Sequence, residues 1–343
     1  MSATKTSISW IDTTWNPLRG CSRVSSGCEH CYAESQAGRF SGPGQPYEGL
    51  VRKTSQGWKW TGDVKIIEKD LEVPLHWKNP RRIFVNSMSD LFHERVTDQW
   101  LLMIFDVMRR CPRHTFQILT KRPERMANIC QRLRFDPDYL DRRPRHLSLQ
   151  YRTPGNGVMW LADSADGPGY RLMGGKGCTG MTWVWMGVSC ENQATADERI
   201  PWLLQTPAAV HFLSCEPLIE STDLREWLHG EHRDAGECEK WIQGDFVDFC
   251  AHTPLHWIIV GGESGSKARP CNMAWIRSIV QQCQQAQVPC FVKQLGAWPY
   301  SKEDREDHFL LRNRKGADPS EWPNDLQVQQ FPSSEKEEWT QLV

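Results

Sequence analysis

Six short apolar runs constrain this chain more than any other feature. They are residues 82–86 (RIFVN), 115–119 (TFQIL), 182–188 (TWVWMGV), 210–214 (VHFLS), 256–261 (HWIIVG) and 289–293 (PCFVK). Their apolar residues run on rather than alternate, which is the pattern of a strand covered on both faces, as in a parallel sheet. Helical patterns lie between several of them. Residues 98–110 open on Asp, carry a long apolar face and close on Arg, an order that suits the helix dipole. Residues 123–134 follow the second run, and 273–286 precede the last. Strands alternating with helices predict an α/β chain built on a parallel sheet with crossover connections.

Each run ends in a polar cluster: Ser87-Met88-Ser89-Asp90, Thr120-Lys121-Arg122, Ser189-Cys190-Glu191-Asn192, Cys215-Glu216, Gly262-Glu263-Ser264 and Gln294. Turn and helix-cap chemistry accounts for a Ser or an Asp at such a place. It accounts less well for a Lys, Glu side chains and Cys at equivalent positions. The carboxyl ends of parallel strands form the active-site rim of barrels and open sheets, so the rim is the expected site.

The length, 343 residues, allows about two domains or one large α/β domain with insertions. Interruptions fall at about 131–180, which holds six Arg between Arg132 and Arg152, and at 220–253. A C-terminal extension is expected over 301–343. The formal net charge of −1 conceals a split. Residues 1–180 carry 27 Lys and Arg against 18 Asp and Glu, a net of +9; residues 181–343 carry 14 against 24, a net of −10. A basic half points to a polyanionic partner, although a bipolar soluble protein would read the same way. No run is long and apolar enough for a membrane helix, and the first twelve residues lack a signal peptide's apolar core. The expected compartment is therefore the cytoplasm of a bacterium, or of a host if the chain is phage-encoded. There the 13 Cys are expected as thiols or metal ligands rather than disulfides.

Residues 16–32 (NPLRGCSRVSSGCEHCY) place Cys21, Cys28 and Cys31 in a C-x6-C-x2-C pattern. Three thiolates spaced by Ser and Gly can surround one metal centre. A structural zinc site would need a fourth ligand from elsewhere, with Asp12 a candidate. Three thiolates suit a 4Fe-4S cluster with one iron left open, which can chelate S-adenosylmethionine and supply the electron that cleaves it. Ordinary thiols are the third alternative. Cys111, Cys130, Cys271, Cys283 and Cys290 are expected as core packing, whereas Cys190 and Cys215 are expected on the rim.

These motifs carry a resemblance. Trp15–Pro17, Cys21–Ala33, Val85–His93, Leu119–Pro123, Met186–Asn192, Ser214–Leu218, Gly261–Gly265 and Val292–Gly296 resemble the radical S-adenosylmethionine superfamily, and within it a three-cysteine branch abundant in bacteriophages and prophages. The likeness spans roughly residues 7–300. It implies a partial (β/α)6 TIM-like barrel with the cluster in the loop after the first strand, a 4Fe-4S cluster held by Cys21, Cys28 and Cys31, and S-adenosylmethionine as cofactor. It also implies an external flavodoxin- or ferredoxin-like electron donor. The chain departs from the superfamily in its first cysteine gap, which is usually three residues. His30 stands where an aromatic is usual. The usual Gly-Gly-Glu after the second strand is replaced, which passes its cofactor-binding role to Ser89 and Asp90. Glu191 is expected at the ribose, and Gly261, Gly262 and Glu263 at a close backbone approach to the cofactor.

For chemistry on the substrate the rim offers Lys121, Glu216 and Cys215, with Lys293 and Gln294 beside them. Trp10, Trp15, Trp58 and Trp60 lie near Arg52, Lys53 and Lys59, an aromatic–basic mixture that can stack bases and contact phosphates. The expectation is a base-modifying radical enzyme that rearranges or hypermodifies a nucleic-acid base, such as a modified thymine in phage DNA. Its alternatives are a radical repair enzyme or lyase for damaged bases and a zinc-bound nucleic-acid-binding module.

Overall fold

The computed structural model describes residues 6, 8–135, 181–228, 255–301 and 311–332. The expected interruptions at 131–180 and 220–253, with the Arg-rich stretch, lie mostly outside the described residues. All six apolar runs form strands, and a seventh strand precedes them. In chain order the strands are β1 (Thr13–Trp15), β2 (Arg82–Val85), β3 (Thr115–Thr120), β4 (Val184–Ser189), β5 (His211–Cys215), β6 (Trp257–Gly261) and β7 (Cys290–Gln294). They pair in that same order, each parallel to the next, in one sheet curled as a half-barrel. The sheet thus has one strand more than the six expected. Its first strand reads only TTW, too short to register as an apolar run.

Alternation along the strands sorts their side chains. One face carries Ile83, Val85, Phe116, Ile118, Met186, Val188, Leu213, Ile258, Val260 and Val292 in the main core. Helices cover it. Of these α2 (Asp98–Arg109) buries Leu101, Ile104, Phe105 and Met108, one stripe at helical spacing, and is capped by Thr97. α3 (Pro123–Phe135) and α5 (Met273–Gln285) match sequence expectation closely. α4 (Gln193–Leu204) was not expected. It contains Pro201 and buries Arg199, both contrary to a clean helical pattern, and it starts on an Asn192–Thr195 capping box. The short α1 (Tyr32–Gly38) leads out of the cysteine loop.

The concave face is floored by a second, aromatic cluster: Trp10, Phe84, Phe212, Trp257, Ile259 and Phe291. Each such side chain contributes about 1.5–3 kcal/mol or more by leaving water. Above this floor, toward the strands' carboxyl ends, the inward residues turn polar, with Ser214 and Glu216 following Phe212.

The described part of the C-terminal extension is integral to the fold. It runs antiparallel along β7, where Val292 N donates to Val328 O (2.8 Å) and Gln330 N to Cys290 O (2.9 Å). Trp322 and Leu326 enter the main core, and Phe331 stacks near Trp257 and Phe291. The last strand's open edge is thereby covered. Among the described residues, no helix is long and apolar enough to cross a membrane.

Candidate functional site

The cysteine loop leaves β1, bridges Gly20 to Ser89, and lies across the carboxyl ends of the strands. Cys21, Cys28 and Cys31 are all half-buried free thiols, and Cys31 immediately precedes α1. Three sets of rim contacts seat the loop. At the β2–β3 side, Arg122 donates from Nη2 to Ser22 O (3.1 Å) and Ser22 Oγ (2.8 Å), while His93 Nε2 meets Ser22 Oγ at 2.9 Å. Above β4, Ser25 Oγ donates to Glu191 Oε1 at 3.1 Å. At β6, His30 Nδ1 lies 3.1 Å from Glu263 Oε2, and Arg269 joins Glu263 (2.9 Å) to Ser26 O (3.1 Å).

The carboxylates beneath the loop are strongly engaged. Asp90 accepts from Thr120 Oγ1 (2.7 Å), Phe92 N (3.0 Å), Lys121 N (3.2 Å) and Arg122 Nη1 (3.0 Å). Glu191 is fully buried and pairs with Lys121 Nζ (3.2 Å) and Arg199 Nη1 (3.2 Å). Burial alone would raise its pKa, but Lys121, Arg199 and Ser25 together hold it below the ordinary carboxylate value. Glu263 follows the same logic, with Arg269 and His30 outweighing burial. Gly27 rests on Glu191 so closely that a Cβ there would fall 2.2 Å from its Oε1.

A protein-family model described as a protein of unknown function, DUF5131, matches residues 5–330. The chain belongs to the DUF5131 family. Comparison with curated proteins and with solved structures gave no match.

In this DUF5131 chain most rim residues named from the sequence are brought together under the loop, but several serve the loop itself. Ser89 Oγ donates to Leu18 O (3.1 Å), and Asp90, Glu191 and Glu263 are bound to protein partners rather than held open. Gly261 and Gly262 do mark a close approach. The neighbours are Glu216 and Gln294 at Gly261 and Leu295 at Gly262, so protein fills that space. Lys121 and Glu216 lie on the rim, and Lys293 Nζ pairs with Glu216 Oε2 at 3.0 Å. Glu216 Oε1 is buried without a hydrogen-bond partner. The Glu216–Pro217 peptide bond is cis.

Cys215 is not on the rim. Its neighbours Ser214 and Glu216 face the concave side, so alternation turns Cys215 into the main core, fully buried, where its thiol pKa is pushed far up. Cys190 is buried there too. Trp10, Trp15 and Trp60 are likewise core residues, which removes them as stacking platforms; Trp58 is partly buried on the hairpin formed by Val51–Thr54 and Gly57–Trp60. Sequence reasoning missed Ser22, His93, Arg199 and Arg269 as loop anchors. Arg122 was in view within the LTKRP motif, but without a role.

The three thiols stand within electrostatic reach of one another. Cys21 is pushed up to about 12 by burial and by Asp90, and burial also raises Cys31. Among the described residues no group of His, Cys, Asp and Glu stands at metal-holding geometry. The donor set itself fits an iron–sulfur centre. It is three soft sulfurs, none tied in a disulfide, the ligand type that iron–sulfur and zinc centres both use.

Proposed function

We propose that the chain is a radical S-adenosylmethionine enzyme built on a partial (β/α)6-type barrel and acting on a nucleic-acid base. Cys21, Cys28 and Cys31 would hold a 4Fe-4S cluster, which when bound supplies one electron to S-adenosylmethionine and so a 5′-deoxyadenosyl radical that takes a hydrogen atom from the substrate. The observation that carries this reading is the seating of a three-thiol loop over the carboxyl ends of a parallel sheet by Arg122, Glu191 and Arg269. The aromatic floor excludes water from below. Lys293 fixes Glu216 through Oε2, so the two stand on the rim as a paired group that can orient a polar substrate. Lys121, oriented by Glu191, offers its remaining donors to a phosphate or carboxylate. Rearrangement or hypermodification of a base, such as a modified thymine in phage DNA, is the reaction this reading favours. An external flavodoxin- or ferredoxin-like donor and a cytoplasmic setting belong to it.

Anaerobic reconstitution with iron and sulfide tests it. The wild type is expected to turn brown and release 5′-deoxyadenosine from S-adenosylmethionine, and Cys28→Ala is expected to do neither. A colourless protein with about one zinc, or equal behaviour of the two proteins, overturns it.

A further inference from the structure

Beside the cysteine loop, and lined in part by α1, lies a groove of about 1290 Å³. His30 and Cys31 of the cysteine loop line it, together with the hairpin at Gln56–Lys59, the turn at Ser264–Ala268, and the segment carrying Arg314 and Lys315. Two large aromatics open onto it, Tyr32 at 53% exposure and Trp298 at 47%. Tyr32 is held in place because its hydroxyl donates to Ser87 O. Lys267, Arg314 and Lys315 are exposed on the walls. Among the described residues two carboxylates line the groove, Glu34, which is buried under Arg23 and Lys59, and Glu29, which lies near Arg269, so the described lining carries an excess of basic charge.

The basic wall is preset. Gly316 O accepts from Leu295 N (2.8 Å) and from Trp322 Nε1 (3.0 Å), and Glu321 accepts from Arg312 N (2.8 Å) and Asn313 N (3.2 Å). Lys267 Nζ reaches across to Gln56 O at 3.3 Å, joining two walls.

We infer that this groove binds a single-stranded segment of nucleic acid and leads it to the cysteine loop. Exposed rings want the flat faces of bases, which a duplex conceals and a single strand offers; the cations beside them match the phosphates. An acidic peptide would satisfy the charges but give the two rings nothing to stack on. The inference rests on the proposed nucleic-acid substrate and adds where and in what form it binds.

Anisotropy of a labelled oligothymidine of roughly 12 nucleotides with the full chain tests this directly. Binding is expected to weaken as salt rises. Replacing Lys267, Arg314 and Lys315 together by Gln should lower the log–log salt slope by about 2, near 0.7 for each lost phosphate contact. Trp298→Ala should weaken binding about tenfold, and Trp298→Phe should recover most of that, which separates lost stacking from lost folding. Absence of binding overturns the inference. So do equal binding of the matching duplex, displacement by polyglutamate at equal charge, or unchanged affinity in both the triple variant and Trp298→Ala. A colourless protein that binds the strand would sink the radical chemistry and keep the groove. A protein that makes 5′-deoxyadenosine but ignores the strand would do the reverse.

Discussion

Glu191 shows how much of the site can hang on a single side chain. As a polar residue after an apolar run it points to a ligand, and in the structure it is fully buried between Lys121, Arg199 and Ser25. Ser25 lies 166 residues away in sequence, so no local pattern could pair the two. Removing the charge strands two cations. Glu191→Gln is expected to cost about 3 kcal/mol in a urea unfolding titration, with part regained when Lys121→Met is added. Gly27→Ala should shift the same titration by about 1–3 kcal/mol, because its methyl has to displace the carboxylate. Cys215 teaches a complementary lesson. Its place in the sequence was right to within a residue of the rim, and the period of two turned it the other way.

At the scale of elements, legibility followed chemistry. Strands β2–β7 announced themselves, because burial on both faces forces continuous apolar runs. α2, α3 and α5 were visible from their apolar stripes and caps. The hairpin and α4 were not, since alternating Trp and Lys reads equally as surface, and Pro201 argues against a helix that tertiary packing nevertheless sustains. The covering segment at 311–332 was hidden for another reason: its strongly polar composition masks two anchors, Trp322 and Leu326. Leu326→Ala should cost about 2–5 kcal/mol and Trp322→Ala about 3–5 kcal/mol, measured as urea midpoints. Loss of less than 0.5 kcal/mol in both would mean that the segment merely rests on the sheet.

For the whole molecule, pH dependence exposes a cost buried beneath β5. Burial, helped by the neighbouring His256, lowers the pKa of His211 to about 3, even though the Thr206 carbonyl at 2.7 Å favours its proton. The folded protein therefore keeps the ring neutral, while the unfolded chain takes up a proton near pH 6.5. The stability this represents is full above about 6.5 and drains away as pH falls toward 3, by at most about 1.4 kcal/mol per unit. Urea midpoints at pH 7 and pH 5 should differ accordingly, with His211→Asn showing a shallower fall. Identical slopes in the two proteins would assign the acid sensitivity to other groups.

The identity of strand order and chain order has a consequence for biosynthesis. A chain emerging from the ribosome can extend its sheet one strand at a time at a single growing edge, never inserting a strand between two already placed. The cysteine loop cannot share in that gradual progress. It is made almost first, yet its seats at Glu191, Glu263 and Arg269 are made late. Full seating of the loop is thus deferred until those later residues exist, and its three thiols stay without their rim partners through most of translation.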